Sequence, residues 1–224
     1  PRLGDDLSGT SFWLGELCHA LLVVEESPTA ARSQGRIRDL LPRIRRSAEW
    51  LAQHEDALFA YDQDAPNRLF FDAQTFAFAG LLLGEPRLNR VGRRFLDAGL
   101  ALQREDGAFV EQGGHDSSYQ AVALLKLQYY ALRVPDPTLH EAARRGAEWL
   151  IARIGPNGAV DVTGNTRTGM GQERFLGREK DVNYSEVVLA LLYYAEREGD
   201  DAAAEAAQRA FDYAAHRRNE PDSH

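Results

Sequence analysis

The residues best suited to chemistry fall in three stretches. In the first, Gly113-Gly114 lead into His115-Asp116-Ser117-Ser118-Tyr119. Histidine titrates near neutrality, and a tyrosine beside a cation can take or give a proton. The second runs from 155 to 182, "GPNGAVDVTGNTRTGMGQERFLGREKDV", and sets Arg167, Arg174, Arg178 and Lys180 against Asp161, Glu173, Glu179 and Asp181. Guanidinium forks of this kind grip carboxylates bidentately. In the third, Asn183-Tyr184-Ser185-Glu186, a polar residue again precedes an aromatic one. Together these residues suit β-elimination on a sugar acid. Arg167 or Arg174 would neutralise the carboxylate, His115 or Tyr119 would remove the C5 proton, and Tyr184 would protonate the leaving oxygen.

Each candidate has a structural role open to it as well. Ser117 can cap a helix, with Asp116 favouring the positive end of its dipole and the glycine pair permitting the turn. Glu186 stands in capping-box spacing from Asn183, as Gln120 does from Ser117. The stretch 155–182 can be a solvated loop, with Val160, Val162, Met170, Phe175 and Leu176 available to pack it down. Trp13 can stack on a sugar or simply fill a core. Asp72 is expected to cap a helix and, with Asp116, Glu173 and Glu179, to add acid to a shared rim. Arg178 and Lys180 complete the expected substrate-binding set. His115 is the one histidine expected in the mouth of a long loop.

What positions these residues is helix. Apolar periodicity predicts eight helices, over 9–26, 29–54, 72–84, 86–103, 117–133, 137–154, 183–198 and 201–218. Apart from the first, which keeps a few polar positions, the odd-numbered ones, such as "YQAVALLKLQYYAL", are apolar nearly all round, as enclosed helices are. The even-numbered ones, such as "EAARRGAEWLIARI", keep an arginine-rich wet face. Inner and outer helices therefore alternate. Ala48-Glu49-Trp50-Leu51 recurs as Ala147-Glu148-Trp149-Leu150, the mark of stacked helical hairpins. Inner-to-outer connections are short, whereas 55–71, 104–116 and 155–182 are long. Long connectors at one end of a rigid scaffold are where binding residues gather. The inner helices would also aim their positive N-termini at that rim.

Composition narrows the function classes. The 224 residues, 44% hydrophobic and 27% charged, are read as one folded domain over 1–224. A net charge of −8 with no basic face excludes a nucleic-acid partner. No uninterrupted apolar run approaches the roughly 18 residues of a membrane span, so no membrane partner is expected. Cys18, the single cysteine, excludes an internal disulfide. Neither a metal-ligand spacing nor a cofactor motif is present. Beginning at Pro1, the chain is expected to be an N-terminally trimmed or mature form, and a glycan-active chain would work in a secreted or periplasmic setting.

Two segments, "FLDAGLALQREDGAF" and "RRGAEWLIARIGPNGAV", resemble the aromatic-Leu, Asx-Gly turn repeat of α/α toroids such as the terpenoid cyclases and prenyltransferases. Gln103 and Asp106-Gly107 fill the repeat's places in one copy, while Ile154 stands where the other would have glutamine. The resemblance covers roughly 40–200. It implies an all-α, incomplete α/α toroid of about four inner/outer hairpins, left as an open arc or closed by further hairpins or by self-association. The Asp-rich box and the zinc set of those enzymes are absent from the sequence, so their activities are not implied. Polar loops at the inner-helix mouths are similar instead to those of polysaccharide lyases and uronyl-sugar hydrolases. That implies a small-molecule or oligosaccharide ligand, expected to be anionic. Three functions follow: lyase-like elimination; glycoside hydrolysis by paired carboxylates such as Asp116 with Glu173 or Glu179; and a non-catalytic helical-repeat module binding a glycan or protein.

Overall fold

The computed structural model describes residues 3–219 apart from Gln172 and Leu176. Among the described residues the regular elements are helices, save for one two-residue antiparallel ladder and isolated bridges in the connectors. It divides into two compact units, Pro1–Ala101 and Leu102–His224. The first holds α1 (Leu3–Glu26), α2 (Ala30–Gln53), α3 (Glu55–Asp62), α4 (Pro66–Leu83) and α5 (Pro86–Ala101). The second holds α6 (Ser117–Arg133), α7 (Pro137–Ala152), β1 (Arg174–Phe175), β2 (Arg178–Glu179), α8 (Tyr184–Glu198) and α9 (Asp201–Asn219).

Each unit repeats one plan. In the first, α1 packs beside α4, with α2 against α1 and α5 against α4; in the second, α6 packs beside α8, with α7 and α9 as their partners. The inner position follows from composition. α4 buries every residue from Ala73 to Gly80, and α6 every residue from Gln120 to Gln128. α5 by contrast buries only Leu88, Gly92, Phe95, Leu96 and Gly99. Those two glycines let the helices close up. A Cβ on Gly92 would stand 2.8 Å from the Ala73 carbonyl oxygen, and one on Gly99 would stand 2.6 Å from the Phe70 ring. Short turns end the inner helices α4 and α8 at Gly84 and Gly199, with φ of 65° and 67°, which glycine adopts without steric cost.

The predicted loop 55–71 is instead helix. α3 follows α2 after the single residue His54, and α4 begins at Pro66, where the missing N–H costs nothing. Asp72 is therefore no cap but a fully buried residue in the second turn of α4. α1 begins at Leu3 rather than residue 9, which places Trp13 at mid-helix, 62% exposed and out of the core. By length and mean hydropathy α1 is long and apolar enough to cross a membrane. In the structure it packs on α4, with Leu7, Leu14 and Cys18 fully buried; burial pushes the Cys18 thiol up to about 12. Nor is every inner helix enclosed, for α8 leaves Leu189, Leu192 and Tyr193 exposed.

The recurring Asx-Gly turn has a physical basis. Asp106 Oδ1 accepts the Ala108 N–H and Asn157 Oδ1 accepts the Ala159 N–H, each at 3.1 Å. The following glycines have φ of 93° and 85° and lie flat on the outer helix of the next hairpin. A Cβ on Gly107 would stand 2.2 Å from the Arg145 carbonyl oxygen of α7, and one on Gly158 would stand 1.9 Å from that of Arg209 in α9. Gly107→Ala and Gly158→Ala should each destabilise the second unit by about 2 kcal/mol or more, the left-handed backbone cost plus the clash. Chemical denaturation followed by circular dichroism measures this, and Gly113→Ala, where a Cβ meets nothing within 4 Å, should cost less.

Candidate functional site

Connectors 104–116 and 155–182 meet at the N-terminus of α6, as their lengths predict. The residue that joins them is Asp116, which caps α6 in place of Ser117. Its Oδ1 accepts the Ser118 and Tyr119 N–H groups at 3.0 and 3.1 Å and the Thr168 hydroxyl at 2.9 Å. Its Oδ2 accepts the Arg167 and Thr168 N–H groups at 2.9 and 2.8 Å. Asp116 is 1% exposed, so these five donors replace its water. Ser117 lies inside the first turn. Its N–H donates to Asn165 Oδ1 at 3.0 Å and its hydroxyl to the Asp161 carbonyl at 2.8 Å. Gln120 completes no capping box. It accepts the Phe109 N–H at 2.8 Å and donates to the Gly107 and Gly146 carbonyls, tying the shorter connector to α7.

Around this junction lies an ion network. Arg167 donates through Nε to Glu173 at 2.8 Å and through a terminal nitrogen to Glu111 at 2.8 Å. Its guanidinium lies 3.9 Å above the centre of the Tyr119 ring, a cation–π contact. Lys180 donates to the Tyr119 hydroxyl and, at 3.0 Å, to Glu173. Burial raises the Tyr119 phenol above its ordinary value, with Lys180 and Arg167 only partly opposing, so it is held neutral. Burial also works against the charged forms of Glu173 and Lys180. The hydrogen bonds from Arg167 and Lys180 nonetheless lower Glu173, and those to Tyr119 and Glu173 raise Lys180. Charges so matched are already mutually compensated.

His115 is half-buried with its ring 5.4 Å from Trp149, edge to face, and its Nε2 3.3 Å from the Thr163 carbonyl. Asp161 is held below its usual range by the Thr163 N–H and hydroxyl. Arg153 spans the Asp161 and Thr163 carbonyls at 3.0 and 2.7 Å. The structure thus gathers His115, Asp116, Tyr119, Arg167, Glu173 and Lys180 in one place. Others of the expected set lie elsewhere. Arg174, Arg178 and Glu179 stand exposed on the β1–β2 ladder, where Arg174 pairs in register with Glu179. Asp72 and Trp13 belong to the first unit. Of the expected packing anchors, Val160 is buried and Met170 is 46% exposed. Leu176 and the Phe175 side chain lie outside the described residues.

The anion-ready helix end is not observed at α6, because Asp116 and Asn165 take the N–H groups of Ser117, Ser118 and Tyr119. At α8, Asn183 sits at the cap position without a side-chain capping bond, and its own N–H donates to the Ser118 hydroxyl at 3.0 Å. Tyr184 looks the other way from the ion network: its hydroxyl accepts the Val160 N–H at 3.1 Å and its ring lies 5.4 Å from that of Tyr213. Burial raises its phenol too.

Three adjoining hollows share Tyr184. One, of about 460 Å³, brings Tyr184 and Tyr213 together with Glu179, Asp181 and Arg217 over Val160 and Val162. Arg217 pairs with Asp181 at 2.7 Å, half-exposed on both sides. A second, of about 440 Å³, is apolar, lined by Val188, Leu189 and Phe211. Sequence reasoning missed Glu111, Asn165, Thr168, Tyr213 and Arg217. Only the last two left a signal, an aromatic and a cation one turn apart on the last outer helix.

Glu111 is 3% exposed at its side chain and Arg167 12%. Removing Arg167 therefore takes its cationic partner from a buried carboxylate, and Arg167→Met should cost about 3 kcal/mol. The paired substitution Arg167→Met with Glu111→Leu should recover most of that loss. Urea titrations of the three proteins measure the coupling. Comparison of the chain with family models, with curated proteins and with solved structures returns no match.

Proposed function

We propose that this chain is a non-catalytic helical-hairpin module that binds a neutral oligosaccharide in the hollow around Tyr184. The observation that carries the reading is the mixed lining of that hollow. Two tyrosine faces offer apolar flats with polar edges, and Asp181, Glu179 and Arg217 supply acceptors and donors beside them. Its volume falls in the range of small-ligand sites, about 300–1,000 Å³. A sugar presents the same mixture, C–H faces bordered by hydroxyls. Two carboxylates against one guanidinium leave the lining acidic, which favours a neutral sugar over the anionic one expected from sequence. The inner-and-outer hairpin plan of each unit supports the toroid-like repeat reading, in which side chains on a rigid scaffold form the site.

The Asp116 carboxylate supports this reading from the other side. Five intramolecular donors occupy it, so pairing it with Glu173 or Glu179 for hydrolysis would first require dismantling the α6 cap. Glu173 is itself held by Arg167 and Lys180.

One observation favours a second reading, β-elimination on a uronate. The Tyr119 hydroxyl sits against Lys180 with Arg167 over its ring. In that reaction Tyr119, held as the neutral phenol, would first have to release its proton to solvent. The phenolate would then take the C5 proton, and the electron pair would form the C4–C5 double bond. Tyr119 would hand the proton on to the C4 oxygen as its bond to C4 breaks. Arg167 would have to exchange Glu111 or Glu173 for the substrate carboxylate.

Calorimetric titration with a panel of neutral oligosaccharides tests the binding reading. A member of the panel should bind, and Tyr184→Ala and Arg217→Ala should each weaken it by about tenfold or more. No binding across the panel, or binding indifferent to both substitutions, contradicts it. Ultraviolet absorbance of uronate polymers incubated with the chain separates the readings. The binding module leaves it flat, whereas a rise abolished by Tyr119→Phe would establish the lyase.

A further inference from the structure

The first unit buries two carboxyl groups that the binding reading does not use. Asp62, the last residue of α3, and Asp72 of α4 are both fully buried. Asp62 Oδ1 accepts from Arg68 at 3.0 Å and from the Ser8 hydroxyl of α1 at 3.3 Å. Asp72 Oδ1 accepts from the Ser11 hydroxyl of α1 at 2.5 Å. The second oxygen of each group is buried with no donor, and Ser8 and Ser11, three residues apart on one face of α1, hold the two carboxyls as neighbours. Two ionised carboxylates cannot bond, being acceptors only.

We infer that Asp62 and Asp72 share a single proton across these otherwise unserved oxygens, and that this proton makes the seating of α1 on α3 and α4 pH-sensitive. Charge counting favours it. Two fully buried carboxylates and the part-exposed Arg68 guanidinium sum to one negative charge, and one proton brings the sum to zero. The same proton supplies the missing donor. Like charges in such a dyad push one carboxyl far up in pKa. Burial raises both groups, and for Asp72 the Asp62 charge adds to it; on Asp62 the bonds from Arg68 and Ser8 partly oppose.

The other groups around the pair are few. α1 turns the hydroxyls of Ser8 and Ser11 to it, while its Asp5 is bonded by Tyr61 of α3. α4 contributes Arg68. α2 buries Ile37, Ile44, Ala48 and Leu51, and α5 buries only apolar residues and glycines, so neither brings a buried charge.

The sign follows from linkage. A carboxyl whose folded value is raised gives stability that is fully present below its unfolded value, about 3.9. That contribution falls away as pH rises through the folded value. Across that window the folding constant of the native chain should lose up to about tenfold per pH unit relative to a variant lacking the shared proton. Asp72→Asn is that variant, since its amide donates permanently to Asp62 while its carbonyl still accepts from Ser11.

The test follows unfolding of the whole chain in urea between pH 4 and 9, for the native protein and for Asp72→Asn. The native-to-variant ratio of folding constants should decline steadily with pH. A constant ratio overturns the inference. Infrared difference spectra of the native chain with isotope-labelled aspartate add a readout independent of any variant. They should show a protonated carboxyl at pH 7, and fully ionised aspartates overturn the inference. A saturable stabilisation by sodium, magnesium or calcium that Asp72→Asn removes would also overturn it, replacing the proton with a metal ion.

Discussion

One buried carboxylate organises the second unit. Asp116 closes the N-terminus of α6 with one oxygen and holds the backbone of Arg167 and Thr168 with the other. A buried carboxylate without donors would be costly, and the unpaired N–H groups of a buried helix end would be costly too. Each solves the other's problem. The connector 155–182 therefore does not wander over the surface. It is fastened at 165–168, and the β1–β2 ladder folds back until Lys180 reaches Tyr119. That fastening also settles what the polar residues at the mouth are free to do. Arg167 sits between Glu111 and Glu173 because its backbone is fixed by Asp116. The cluster best equipped for chemistry is thereby occupied in holding the fold.

The hairpin plan also shapes the neighbouring surface, where the proposed ligand would sit. Gly107 and Gly158 set the Asx-Gly turns flush on α7 and α9, so the polar connectors lie close against rigid helices. At the α8–α9 hairpin, Tyr184 and Tyr213 face one another, and Arg217 follows one turn later with its charge shared by Asp181. These groups are half-buried or exposed rather than locked inside. Rigid backbone beneath and accessible side chains above are what preorganised recognition needs.

The helical plan was legible because its signals are local. Apolar stretches without a wet face marked α4 and α6, and Asp136-Pro137 marked the start of α7. The Asx-Gly repeat identified turns whose glycines turn out to be sterically required. The misreadings arose where tertiary contact overrides a local cue. Residues 55–71 carry Asp, Gln, Pro and Asn and read as loop, but two helical segments fit there once Asp62 and Asp72 find Ser8 and Ser11 on α1. Ser117 looked like a cap because serine commonly is one; Asp116 outcompetes it by reaching the loop as well. The convergence of 104–116 and 155–182 was legible from length. The partners that neutralise it, Glu111, Asn165 and Thr168, were not, because nothing in their spacing announces a contact some fifty residues away.

Buried acid thus serves both units, but with unequal supplies of donors. Asp116 receives five, whereas Asp62 and Asp72 each keep one buried oxygen without any. The contrast lies in how many N–H and O–H groups the chain delivers to each site. Amide hydrogen exchange at Arg167 and Thr168 tests the Asp116 clamp most directly. Both amides should be protected to the level of the α6 interior, and Asp116→Ala should release them while leaving mid-α6 amides protected. Exchange at the rate of an open loop in the native chain, or protection unchanged in Asp116→Ala, would contradict the account.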